Sequence, residues 1–246
     1  MFWPFAALAL LHAFSATSAG PPLSIDDPGI LDPWHLEVIT ATTVTSTNAG
    51  DFYQVPLFDV SLGVIRDYVQ VAVVYPYVNV ASDDGGSEWD FGNLQVGAKW
   101  RFLNSDRLQM AFAPSYAFGV SRSVAEKGLG DNTDVVVFPV NAEYQINATW
   151  RLNGEALYAS VDDGDDEWGY GAAVAYALNE RWELLFELSG TTDSDFDTDF
   201  LEARVGFDAA LTESVHLLFS MATGLRQSSG EDELDYDIFL GFQFLL

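Results

Sequence analysis

Three histidines, no cysteine and 37 carboxylates set the chemistry open to this 246-residue chain. His12 lies in an apolar N-terminal stretch, His35 near the start of the first expected strand, and His216 just after a tight turn. A hydrolytic nucleophile needs a base within hydrogen-bonding reach and a third group to orient that base. No Gly-x-Ser-x-Gly stretch occurs, so His216 reads as a wall residue and no catalytic residue is assigned. Two histidines outside the N-terminal stretch, without a thiolate, make a poor zinc site. No loop is built to cradle phosphates, and no cofactor is expected. One dense acidic run, Asp162, Asp163, Asp165, Asp166 and Glu167, is a candidate loop site for cations, although it lacks the ligand spacing of an EF-hand.

The balance of charge narrows the partners. Only 10 bases oppose the acids, for a formal net charge of −27, which leaves nothing to neutralise nucleic-acid phosphates. Yet 49% of residues are hydrophobic, with 18 Phe, 10 Tyr and 7 Trp, so the chain is no solvated acidic tail. Strong acidity, many aromatics and a mean hydropathy of only +0.09 fit together if the outside is apolar and the inside polar. Residues 1–19 are uncharged, mostly apolar and end in small residues, as a secretory signal does, with cleavage expected after Ala19. No later run of 18 apolar residues offers a transmembrane helix.

What must position these residues is a set of strands. Beyond residue 33 the hydrophobic period is two. Tyr236, Ile238, Leu240, Phe242 and Phe244 share one face of the last strand, while Asp235, Asp237, Phe239, Gly241 and Gln243 take the other. Trp182, Leu184, Phe186 and Leu188 likewise oppose Arg181, Glu183, Glu187 and Ser189, with Leu185 as the exception. The pattern predicts twelve strands, at about 34–45, 52–62, 68–81, 91–103, 107–121, 135–146, 149–161, 169–178, 181–192, 200–210, 214–226 and 235–246. Many reach the roughly 9–11 residues that a tilted strand needs to cross a bilayer. Short connections alternate with six longer or more polar ones at 46–51, 82–90, 122–134, 162–168, 193–199 and 227–234. The expected fold is therefore all-β: a transmembrane antiparallel barrel with short periplasmic turns and longer acidic extracellular loops. With the last loop extended to 237, that end carries 22 of the 37 acids against Arg122 and Lys127 alone. Trp89 and Trp168 fall near one rim and Trp100, Trp150 and Trp182 near the other, as two aromatic girdles would.

An apolar face against lipid puts the other face in the lumen. Candidate lumen-lining residues are Glu37, Asp59, Lys99, Arg101, Glu143, Arg151, Glu155, Glu183, Glu187, Glu202 and Arg204; His35, Gln70 and Asp208 share the inward set. Such charges either line a small water-filled path, acting by charge and width, or pair across a narrow interior and seal it. Excess acid favours cations in the first case. Residues 20–33 hold Pro21, Pro22, Pro28 and Pro33, which exclude a helix or a central strand. That segment either crosses the periplasmic mouth or tucks into the lumen.

The stretch Ala19–Val38, with Gly20, Pro21, Pro22, Asp26, Asp27, Pro28, Trp34 and His35, resembles the opening of the outer-membrane proteins grouped as the MetA-like family of the phenol-degradation meta-pathway. Gly92–Phe102 resembles that family's glycine-rich approach to a Lys99-Trp100-Arg101-Phe102 strand end. The resemblance implies a Gram-negative outer-membrane barrel passing small organic compounds, aromatic ones among them, and it carries no catalytic residues. Alternatives are a sealed structural barrel without transport and a lipid-acting barrel enzyme. Expected partners are outer-membrane lipid and lipopolysaccharide, the barrel-assembly machinery, small solutes and divalent cations at the acidic loops, with the chain a monomer. The final residue, Leu246, departs from the terminal Phe common in such barrels.

Overall fold

The computed structural model describes residues 21–81, 87–162, 164–196, 198–228 and 233–246. The signal-like stretch, residue 20 and Asp163 of the acidic run lie outside these. The strands are β1 (Leu36–Thr47), β2 (Gly50–Ile65), β3 (Val69–Ala81), β4 (Ser87–Phe91), β5 (Gln95–Asn104), β6 (Leu108–Phe112), β7 (Ser115–Ala117), β8 (Val135–Gln145), β9 (Trp150–Val161), β10 (Glu167–Asn179), β11 (Trp182–Asp193), β12 (Asp199–Ala210), β13 (Val215–Gln227) and β14 (Leu234–Leu245). Both β4 and β5 pair with β3, and both β6 and β7 pair with β5 and β8, so each couple forms one interrupted stave. Together they make a closed antiparallel barrel of twelve staves.

Closure is at the chain ends. β1 pairs with β14 from Glu37↔Leu245 to Thr47↔Leu234, and Leu36 and Leu246 exchange both backbone hydrogen bonds. A closed ring leaves no strand edge to be satisfied in hydrocarbon. Its outside is apolar: Val71, Val73, Tyr75, Phe186, Leu188, Leu240 and Phe242 are all exposed. Trp89 and Trp168 stand outward at one rim, Trp100, Trp150 and Trp182 at the other, many of them against a second ring, as in Trp150–Tyr176 at 4.6 Å between centroids. Rings at headgroup level bury an apolar body while the polar tip stays wet.

Proline explains where the staves depart from the expected spans. The predicted strand 91–103 is broken at 92–94, beside Pro76 of β3, which has no N–H to give the ladder. The predicted strand 107–121 breaks at Ala113–Pro114 and ends at Ala117. At Val55–Pro56 the β2–β3 register shifts, consistent with proline being tolerated in sheets at bulges. The connection at 46–51, expected to be a longer loop, is the two-residue turn Asn48–Ala49, with Gly50 at φ 141°. Strict alternation of loop length therefore fails at that one place.

The loop after β7 is the long exception. It includes the four-residue helix α1 (Arg122–Ala125) and turns inward, burying Leu129 against Phe52, Val78 and Val80 of the inner wall. Asn93 holds it, donating to the carbonyls of Phe118 and Asp131 and accepting from the Asp131 N–H. The break in the β4–β5 stave is thus where this loop docks.

Candidate lumenal site

Residues 21–31 lie inside the barrel, and the segment makes almost a full circuit of its wall before Asp32 emerges exposed beside Arg66. Ser220 of β13 donates to the Pro22 carbonyl at 2.5 Å. Glu187 of β11 accepts the backbone N–H groups of Ser24 and Ile25 at 3.1 and 3.2 Å, and the Ser24 hydroxyl as well. Glu155 of β9 accepts the Asp26 N–H at 3.1 Å. Asn141 of β8 and Lys99 of β5 both reach the Asp26 carboxylate, at 3.1 and 2.8 Å, and Lys99 also donates to the Asp27 carbonyl at 2.7 Å. Gln70 of β3 then accepts the Leu31 N–H, and Gly63 of β2 accepts that of Trp34. An irregular backbone at membrane depth must find its partners inside the protein, and here the wall supplies them stave by stave.

Packing reinforces these bonds. Leu23 and Ile25 lie on Ala173, Ala175 and Leu185. Leu185, the residue that broke the alternation of its strand, is thus the inner-wall apolar patch that receives the segment. Gly171 leaves the room: a Cβ there would stand 2.3 Å from Ile25 Cγ2. Similarly, Gly63 lies so close to the Leu31 and Asp32 carbonyls that a side chain would collide with backbone.

The remaining inward charges are largely paired. Arg204, buried, binds Glu202 at 3.0 Å and Asp237 at 2.7 Å, and donates to the Ser220 hydroxyl. Arg151 bridges Glu143, at 3.1 Å, and Glu183. Arg101 reaches the Asp67 carbonyl and carboxylate at the tight-turn end and donates to Gln109. Glu37 accepts from Gln243. Asp59, 4% exposed, has no hydrogen bond or ion pair among the described residues. Of the residues expected in the lumen, Glu37, Asp59, Lys99, Arg101, Glu187, Glu202 and Arg204 are buried, and Glu143, Arg151, Glu155 and Glu183 are half-buried. His216 holds Asp208 through Nδ1 at 2.7 Å, whereas His35, expected inward, is exposed just before β1.

Several partners were not among the candidates: Ser24, Asn141 and Ser220, and also Ser189 and Asp237, which alternation had already put on the polar faces of their strands, complete the polar contacts. Phe239, Ile39, Leu57, Val74 and Leu218 form an apolar patch on the same inner wall, which period two alone would have assigned to polar residues.

In the acidic loops the carboxylates serve the backbone. Asp166 accepts the Tyr158 hydroxyl and the Val161 N–H, which hold its carboxyl below the usual range. Asp134 is lowered likewise by the Gly119 N–H, at 2.8 Å, and by the Tyr116 hydroxyl. Among the described residues no three His, Asp or Glu side chains are grouped to hold a metal ion. Asp162, Asp165 and Glu167 lie at the loop rim beside Asp166.

An apolar exterior, two aromatic bands and an enclosed charged interior define an outer-membrane β-barrel of porin-like fold. The structure is similar to an outer membrane channel from Pseudomonas putida F1, at 14% identity and a TM-score of 0.70 over 89% of this chain and 97% of that one. It is also similar to the NanC porin, at 12% and 0.63 over 86% and 100%, and to the KdgM porin, at 7% and 0.61 over 85% and 98%. No curated protein matches the sequence. The profile of the family described as "Putative MetA-pathway of phenol degradation" matches residues 38–228, and the chain belongs to that family. The match begins beyond the Gly-Pro-Pro opening and includes Gly92–Phe102. A Gram-negative outer membrane is its location.

Proposed function

We propose that the barrel passes small organic solutes, aromatic compounds among them, with a weak preference for cations. The observation that carries this reading is a lumen lined by charged side chains yet filled by the segment 21–31 through side-chain contacts, rather than by a continuous apolar core. A path round that segment would be narrow, and charge would sort what enters it. Carboxylates exceed bases on the inner wall and at the loop rim, which attracts cations and slows anions. One of the similar structures is a monoaromatic hydrocarbon channel, at 9% identity and a TM-score of 0.50, and this supports the aromatic substrate class.

Reversal potentials across a potassium chloride gradient in planar bilayers test the charge preference. A shift toward the potassium equilibrium potential is expected, and a shift toward chloride would overturn it. Liposome swelling in phenol-sized solutes tests passage itself. The second reading, a sealed structural barrel, is favoured by the depth at which Asp26 and Lys99 are buried, and it requires neither conductance nor swelling.

Catalysis has no part in this proposal. His216 is held by Asp208 in the wall, and its replacement by Ala is expected to leave conductance unchanged. Insertion by the barrel-assembly machinery, a monomeric state, and contact of the acidic rim with lipopolysaccharide through divalent cations complete it.

A further inference from the structure

Residues 21–31 leave one sector of the lumen open. Their hydrogen bonds to the wall run from Ser220 of β13 round to Gln70 of β3, and among the described residues none goes to β14 or β1. A cavity lies in that sector. Ile39 of β1, Leu57 of β2 and Phe239 of β14 give it an apolar side, Pro22 closes it toward the segment, and Asp59 and Arg204 bring charge to it. A second cavity, beneath Leu129 of the inward loop, shares Gln54 and Leu57 with the first, so the two adjoin along β2.

Asp59 is the carboxylate that this arrangement leaves over. Burying a carboxylate without a partner is costly unless a cation or donor meets it. The nearby bases are committed: Lys99 to Asp26 and the Asp27 carbonyl, Arg204 to Glu202 and Asp237. A buried carboxylate beside an apolar wall suits a molecule with one positive charge and a small apolar body. Such a body covers Ile39, Leu57 and Phe239, which a hydrated alkali ion would leave wet. We infer that this cavity is a binding site for small organic cations, with Asp59 as their counter-ion. The inference deepens the passage reading above and rests on it for the way in. It gives a lone carboxylate a use in a wall whose other buried charges are paired within the protein.

The test titrates benzylammonium chloride calorimetrically into the protein extracted from outer membranes in mild detergent. Wild type is expected to bind one benzylammonium, and Asp59→Asn to bind it roughly tenfold more weakly or worse, as loss of a charged partner implies. Asp59→Asn removes an unpartnered charge and keeps the shape, so it is expected to fold, as heat-modifiable mobility would show. Glu213→Gln, the same change of charge in an exposed tight turn, should bind as wild type does. Benzylammonium is also expected to raise the urea midpoint of wild type above that in equal potassium chloride, because it binds the folded state alone. No binding to wild type, or equal binding to folded Asp59→Asn, overturns the site; potassium competing as strongly as benzylammonium overturns the organic class. Planar-bilayer recordings separate this from passage. Binding that depends on Asp59, with neither current nor liposome swelling, keeps the site and defeats the passage reading. Current and swelling without such binding do the reverse.

Discussion

Lys99 Nζ lies 2.8 Å from Asp26 Oδ1, with the two side chains 3% and 0% exposed, and this pair ties the segment inside the barrel to its wall. Asp26 also receives Asn141, and its own N–H goes to Glu155, so the pair is the centre of a network rather than an isolated contact. Removing one partner of such a pair leaves a buried charge uncompensated, at about 3–5 kcal/mol. Lys99→Met is therefore expected to lower the urea midpoint of the folded barrel and to raise single-channel conductance by releasing residues 21–33. Adding Asp26→Asn should restore part of the stability. Unchanged conductance in a folded Lys99→Met barrel would mean that the segment does not limit the path.

Deleting residues 20–31 asks the same question without altering the wall. Conductance is expected to rise severalfold, and a deletion barrel conducting as wild type does would exclude a plug.

Gly171 offers a steric counterpart. An added Cβ must push Ile25 away, and overpacking of this kind costs about 1–3 kcal/mol. Gly171→Ala is expected to leave the staves intact while the Ser24 and Ile25 amides exchange hydrogen at least tenfold faster. Gly154→Ala, whose Cβ would meet nothing nearer than 3.8 Å, is the control and should not alter them.

Arg204 should be the least dispensable cation of the wall. Arg204→Met strands Glu202 and Asp237 together in the interior, and a loss of about 3–5 kcal/mol is expected. Lower heat-modifiable yield and an earlier urea transition would show it. Arg204→Lys should recover only part, because an ammonium lacks the planar fork that reaches both carboxylates and Ser220 together.

Acid should loosen the loops before the barrel. The folded pKa of Asp134 is depressed, first by the Gly119 N–H and then by Tyr116, and that of Asp166 by Tyr158 and then Val161. A depressed carboxylate pKa stabilises the fold above the unfolded value, about 3.9, and that contribution disappears as pH falls through the lower folded value. The loop at 118–134 is expected to resist proteolysis from neutral pH to about 4 and to be cut by pepsin below that range. Asp134→Asn should be cut by a neutral protease already at pH 7; equal resistance in both proteins would show that the Gly119 contact does not anchor the loop.

The twelve staves were legible because lipid on one side and charge on the other force a side-chain period of two over long stretches. Lys99, Glu187 and Arg204 could be assigned inward for the same reason, since each lies between residues that must meet hydrocarbon. The route of residues 21–33 was not legible. Prolines say what that segment cannot become, not which six or more staves will bond it, and those bonds come from residues far apart in the chain. Leu185 carried the one clue, an apolar side chain where alternation required a polar one. The breaks at 92–94 and 113–114 also escaped, because they depend on prolines of the same or a neighbouring stave, and so on register.

The reciprocal hydrogen bonds of Leu36 and Leu246 join the first and last strands at one seam, and the segment running round the inner wall is continuous with the first strand at that seam. Once these two residues have joined, a chain end outside would have to be drawn through a finished, crowded cylinder. Zipping the seam and seating the leading residues are therefore expected to be a single folding event, seen as one refolding phase for barrel closure and for protection of the Ser24 and Ile25 amides; two separate phases would show the segment entering later.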